Sequence, residues 1–173
     1  ACNGSSSHIN CWYDPDELSV VPTDGNGHGT HTMGTMVGSD PDNEHQIGMA
    51  PNAKWIACQG CDTAGCEPDD LAACADWILI PGGDPDNRPQ VVNNSWGSEM
   101  DGDIWFWDKV NAWRAAGIFP AFSAGNEGPL CDTLGDPGSF QESFASAAHD
   151  NIYELEYTIG SRGPSYWGHD PYT

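Results

Sequence analysis

Positive charge is what this sequence has least of. Five Lys and Arg stand against 26 Asp and Glu, a formal net charge of −21. Nucleic-acid binding rewards clustered Lys and Arg, so this balance argues against such a partner. It argues equally against an anionic membrane surface. Long apolar runs are absent too, and no transmembrane, signal-peptide or lipidation pattern is visible. There is no internal repeat. The chain opens on Ala1 and not on Met, so we expect either an N-terminus made by cleavage or a sequence that is a segment.

What the chain has in excess is acid and cysteine. The plain reading of the acid is a solvated surface suited to salt or low pH. The functional reading is that some carboxylates bind structural Ca²⁺, a hard ion that takes oxygen ligands at short spacing. Asp14-Pro15-Asp16-Glu17, Asp40-Pro41-Asp42-Asn43-Glu44 and Asp84-Pro85-Asp86-Asn87 are the candidates, none a complete EF-hand loop, and each reads first as a turn. Seven cysteines, at 2, 11, 58, 61, 66, 74 and 131, point to disulfides in an oxidising, extracellular compartment. The odd count leaves at least one thiol unpaired within the chain or bonded to another chain. Cys58-Gln59-Gly60-Cys61 admits a metal or redox reading, but two well-separated C-x2-C knuckles are missing.

At 173 residues the chain suits one domain with a sizeable core. Strand-like runs alternate with helix-like runs, which predicts an α/β fold with a parallel sheet. Strands are expected at His8–Tyr13, Trp55–Cys58 (buried), Val91–Ser95, Ile118–Ser123, Ser143–Ala148 and Tyr153–Ile159. Helices are expected at His28–Val37, Asp69–Ile80, stopped by Pro81-Gly82-Gly83, and Ile104–Ala116, stopped by Gly117. Asp14–Gly27 and Gly128–Gly138 read as loops, and Trp105, Trp107 and Trp113 read as core.

Four motifs carry the chemistry. Asp24-Gly25-Asn26-Gly27-His28-Gly29-Thr30-His31 resembles the histidine motif of the subtilisin-like serine proteases, the subtilases (peptidase S8). Val91-Val92-Asn93-Asn94-Ser95-Trp96-Gly97 is similar to the strand that ends in their substrate-binding Ser-x-Gly. Phe122-Ser123-Ala124-Gly125-Asn126-Glu127-Gly128 is similar to the segment bearing their oxyanion Asn. Ser161-Arg162-Gly163-Pro164-Ser165 looks like their S-x-G-P turn. The order and rough spacing of all four agree with the family, from about His8 to Tyr166. The Val91–Gly97 and Val110–Pro120 stretches resemble the bacillopeptidase F branch.

The resemblance implies roles. His28 would take the nucleophile's proton as general base and return it to the leaving amine as acid, exchanges suited to an imidazole. Asn126 would donate to the oxyanion. In subtilisin itself, loss of that donor costs roughly 3–4 kcal/mol, a value carried over from that enzyme. Alone, Asn126 would read as a turn residue. Ser95, Trp96 and Gly97 would form one edge of the cleft, pairing with a substrate strand through their backbone, and Gly125 would lie near the specificity pocket. His31 is expected buried and structural. Asn93-Asn94-Ser95 matches a glycosylation sequon on a strand expected to be buried; Asn3-Gly4-Ser5 is the more accessible one.

Two parts of the family's triad have no match. No G-T-S-like turn follows the S-x-G-P segment, and no D-[ST]-G strand precedes the first one. Asp14 and Asp16 are too close to His28 to be the triad Asp, and Asp24 matches an acidic position just ahead of the His. We therefore expect the central segment of one subtilase catalytic domain, its fold a mostly parallel sheet flanked by helices. The strand carrying the Asp and the helix carrying the Ser would be missing. In the family that Asp strand is central, so the Trp55 and Val91 strands would lack their shared neighbour. The function expected is that of a piece of a secreted serine endopeptidase acting on polypeptides. It would need no cofactor for catalysis, and its partners would be the missing segments or other copies of the chain. The alternative is a non-catalytic structural subunit of an extracellular assembly.

Overall fold

In a computed structural model, the described residues are 8–40, 42, 47–98, 102–128, 132–147, 149–150 and 158–159, the last two pairs as backbone strands only. The S-x-G-P segment, the Asn3 sequon, Cys2, Cys131 and most of the expected Tyr153–Ile159 strand lie outside them. The fold is α/β. The chain divides into two compact units, Ala1–Pro89 and Gln90–Thr173.

In the first unit, β1 (Trp12–Tyr13) pairs in parallel with β2 (Ala57–Cys58), placing Trp12 opposite Ala57 and Tyr13 opposite Cys58. Between them runs α1 (His28–Val37), the span its sequence predicts. After β2 comes α2 (Pro68–Leu79). This helix starts one residue earlier than expected because Pro68 fits a first helical position, where its absent N–H is not missed. Leu71, Cys74, Ala75 and Ile78 recur at helical spacing and form its buried stripe. With Cys11 and Trp12 they are buried apolar residues of this unit. Gly60 lets the chain leave β2 against this helix, since a Cβ there would meet Leu71 Cδ2 at 2.7 Å. Cys58–Cys74 then ties β2 to α2, and Cys61–Cys66 closes the loop between them. Cys11 is also disulfide-bonded. These pairings overturn the metal reading of Cys58 and Cys61.

The first unit corrects three expectations. β1 begins at Trp12 and not His8, because Cys11 and Trp12 N–H both donate to the His8 carbonyl in a turn. The Trp55–Cys58 strand shortens to Ala57–Cys58 and is only half-buried, with Trp55 exposed, because β1 offers only two residues to pair with. His31, expected in the core, is exposed. α1 carries no buried residue at all, so it has no packed side on which to hide a His.

The second unit is a three-stranded parallel sheet in the order β3 (Val91–Asn94), β4 (Phe119–Ser123), β5 (Phe144–Ser146). The crossover from β3 to β4 contains α3 (Trp107–Ala115). Residues 104–106 form a lead-in turn in place of the expected helical start, with the Trp107 N–H on the Ile104 carbonyl. At the other end the Gly117 N–H donates to Arg114 O and the Ile118 N–H to Trp113 O, a Schellman closure with Gly117 at φ +80°. Alternation along β3 and β4 buries Val92, Asn94, Pro120 and Phe122 on one face. Phe106, Val110 and Trp113 cover it. The rings meet mainly edge to face, Phe106 to Trp113 at 5.5 Å and Trp96 to Phe106 at 4.9 Å. Trp113 is core as expected, but Trp105 and Trp107 are about 40% exposed. Val91, Asn93, Phe119 and Phe144 stand exposed, so the Asn93 sequon is not buried as expected. A short antiparallel pair, β6 (His149–Asp150) with β7 (Thr158–Ile159), follows.

Candidate active site

His28 is the first residue of α1 and is exposed. Its placement depends on the turn before it. Gly27 sits at φ +90°, a left-handed conformation that glycine adopts freely, but glycine has no side chain with which to cap the helix. Asp24 caps it instead. One carboxylate oxygen accepts the N–H groups of Asn26 (3.1 Å) and Gly27 (2.7 Å). The other accepts the N–H (2.7 Å) and hydroxyl (2.6 Å) of Thr30. The Thr30 hydroxyl, then the Gly27 and Thr30 N–H groups, hold the Asp24 carboxyl well below the ordinary carboxylate range. The acidic residue ahead of the His is thus what fixes the helix start that presents His28. The sequence located this residue without revealing that task. Behind the turn, the Thr23 hydroxyl donates to Gln59 Oε1 at 3.1 Å, and Gly25 backs onto Thr63 in the Cys61–Cys66 loop.

In the second unit, β3 delivers Ser95, Trp96 and Gly97. The Trp96 ring turns into the aromatic cluster, 5.6 Å from Phe122. Ser95 is half-buried and accepts from Asn93 Nδ2 at 3.0 Å. Gly97 is exposed, and a Cβ there would press on the Asp136 carbonyl at 2.9 Å. At the end of β4, Gly125 takes φ +87° and its N–H donates to the Ser123 hydroxyl at 3.0 Å. This carries Asn126 out to an exposed position, with its backbone N–H on the Glu127 carboxylate at 2.7 Å. So Ser95–Gly97 and Gly125–Asn126 leave the ends of neighbouring parallel strands, while His28 belongs to the first unit. Ligand sites of open α/β sheets lie at such strand ends.

Residues 135–140 are buried, although 135–138 belong to the stretch expected to be a loop. The Asp136 carbonyl accepts the Ser98 N–H at 2.8 Å, and its carboxylate accepts the Asp103 N–H at 2.6 Å and the Ser139 hydroxyl. Dense Gly and Pro marked a turn here; nothing local marked its burial.

The acidic runs serve their own turns. Asp14 accepts the N–H groups of Asp16 and Ser19, Asp40 that of Asp42, and Asp84 that of Asp86. Partial burial, followed by the charges of Asp16, Glu67, Asp69 and Asp14, holds the Asp70 carboxyl above its ordinary value. Among the described residues no group of three or more His, Cys, Asp or Glu is placed to hold a metal ion. No helix among them is long and apolar enough to cross a membrane.

A parallel α/β frame with a glycine-bounded His at a helix start and an Asn turn beyond a strand end is the architecture of a subtilisin-like protease domain. The chain belongs to the subtilase family, whose model matches residues 2–171. It is 45% identical over 165 residues to Bacillopeptidase F of Bacillus subtilis (strain 168), a match covering 89% of this chain and 11% of that protein. To the Subtilisin of Bacillus sp. (strain TA39) it is 32% identical over 137 residues, 76% of this chain and 31% of that one. Among solved structures, Sphericase superposes with a TM-score of 0.71 at 26% identity, covering 91% of this chain and 54% of its own. The chain thus spans a minor part of these sequence relatives and about half of that structure.

Proposed function

We propose that this chain supplies the general acid/base and the oxyanion donor of a subtilisin-like serine endopeptidase whose triad Asp and Ser lie outside these 173 residues. His28 is the acid/base and Asn126 the donor. Ser95, Trp96, Gly97 and Gly125 line the path of an extended polypeptide substrate. The observation that carries this reading is the start of α1: an exposed His28 whose helical turn is fixed by four hydrogen bonds to Asp24. A general base must present its ring in one orientation, and a rigid first turn provides that. The remaining sequence supports it through the exposed Asn126 turn and the backbone of Gly97, free of a side chain.

The chain by itself has no serine in the nucleophile's motif, so acylation requires the polypeptide around it. Among the described strands, β2 and β3 each have one neighbour, and the other edge of each could take an added strand, such as the one that carries the Asp. The disulfides suit secretion. Structural Ca²⁺ belongs to the same proposal as a property of the completed domain.

A serine-directed fluorophosphonate tests the reading on the full polypeptide that contains this chain. The expected result is one labelled Ser outside residues 1–173, found by mass spectrometry of the digested protein. No labelling contradicts it and favours a structural role, and a label on a Ser within these residues contradicts the placement of the nucleophile outside them.

A further inference from the structure

We infer that Asp136 is the positioning residue of the substrate-facing edge, the group that sets Ser95–Gly97 against the turn leading to Asn126. The inference rests on the proposed function for its substrate and on the structure for its geometry. Asp136 is 3% exposed. Burying a carboxylate is costly unless donors meet it, so the fold keeps one here only where those donors are supplied. It meets the Asp103 N–H at 2.6 Å and the Ser139 hydroxyl, both charge-assisted bonds.

The same residue's carbonyl accepts the Ser98 N–H at 2.8 Å. One residue therefore grips the segment after Gly97, the approach to α3, and its own loop. Three glycines make this closeness feasible. A Cβ at Gly97 would meet the Asp136 carbonyl at 2.9 Å, one at Gly135 the Ser98 carbonyl at 2.0 Å, and one at Gly138 the Ser123 carbonyl at 2.7 Å. Backbones from the end of β3, the end of β4 and the 135–138 loop are in direct contact, with no side chain between them. Ser123 leads directly to Gly125 and Asn126, so the loop that Asp136 holds touches both segments that would face substrate. Their spacing is set here. Asp136 acts through Ser98 and Asp103.

Loss of this grip should weaken substrate binding along the edge more than it slows the chemical step. In the full polypeptide, Asp136→Ala should raise KM for a tetrapeptide amide about tenfold and leave kcat within about threefold. Asp136→Asn keeps an acceptor for Asp103 and a donor for Ser139, and should restore KM to within about threefold of the parent. Unchanged KM in a folded Asp136→Ala protein, or a fall in kcat with KM unmoved, overturns the inference. So does failure of Asn to rescue. Should Asp136→Ala not fold, Ser139→Ala removes one partner alone; a KM raised about threefold is expected and an unchanged KM overturns the role.

If the fluorophosphonate shows the parent to be inactive, the proposed function fails separately. Hydrogen exchange on the full polypeptide then decides the geometry. The Ser98 and Asp103 amides should exchange at least about tenfold faster in Asp136→Ala, with Val110 unchanged. Equal protection at Ser98 and Asp103 overturns it.

Discussion

Asp24 puts both carboxylate oxygens into the first turn of α1, and this can be tested at that residue. Asp24→Ala leaves the Gly27 and Thr30 N–H groups without their acceptor and should destabilise the first unit by about 1–2 kcal/mol, read from urea denaturation. The sign of the pH dependence follows from the lowered carboxyl. The bound, ionised form contributes fully above the unfolded value near 4 and loses its contribution as pH falls below that toward the folded value. The difference between parent and Asp24→Ala should therefore be constant from about pH 5 to 7 and shrink steadily below about pH 4. A difference that grew on acidification would reverse the assignment. Because Asp24 is exposed, added salt should trim the effect. Sequence placed this acid beside His28 but could not show its task. A cap three residues outside the helix end is visible only once Gly27 is seen to turn the chain at φ +90°.

At the scale of elements, packing decides what the sequence pattern left open. α1, β3 and β4 fall within a residue of their expected bounds, because apolar alternation and glycine stops are local signals. His31, Trp55, Trp105 and Trp107 were misjudged for one reason: burial depends on what covers a face, and their faces are exposed. The 135–138 loop differs the other way, since its burial comes from contacts with Ser98 and Ser123 far off in sequence. Trp113 ties α3 to β4 through Phe106 and Phe122, so Trp113→Ala should cost roughly 3–5 kcal/mol in the second unit, measured by denaturant unfolding. Cys58–Cys74 and Cys61–Cys66 should separate on mild reduction. Cys61–Cys66 lies exposed and should open first, whereas Cys74 is buried and holds α2 to β2. Breaking Cys58–Cys74, 16 residues apart, should cost about 3 kcal/mol. Thiol mapping by mass spectrometry during a reductant titration gives the order, and simultaneous opening would contradict it.

Across the whole molecule, family membership was legible because four motifs recur in order, and a spacing of that kind survives where individual side-chain environments do not. What the sequence could not supply is the state of each unit. Among the described strands β2 has one neighbour and β3 has one, and the exposed Val91, Phe119 and Phe144 fit a sheet face that awaits cover. The chemistry proposed for the chain turns on His28 acting upon a serine that other polypeptide provides. The direct test is the fluorophosphonate labelling rate of the full polypeptide beside its His28→Ala variant, both shown to be folded by circular dichroism. The account predicts that the parent is labelled and that the variant slows by about 10⁴-fold or more, since the serine then lacks its base. Equal labelling rates in the two proteins would contradict it.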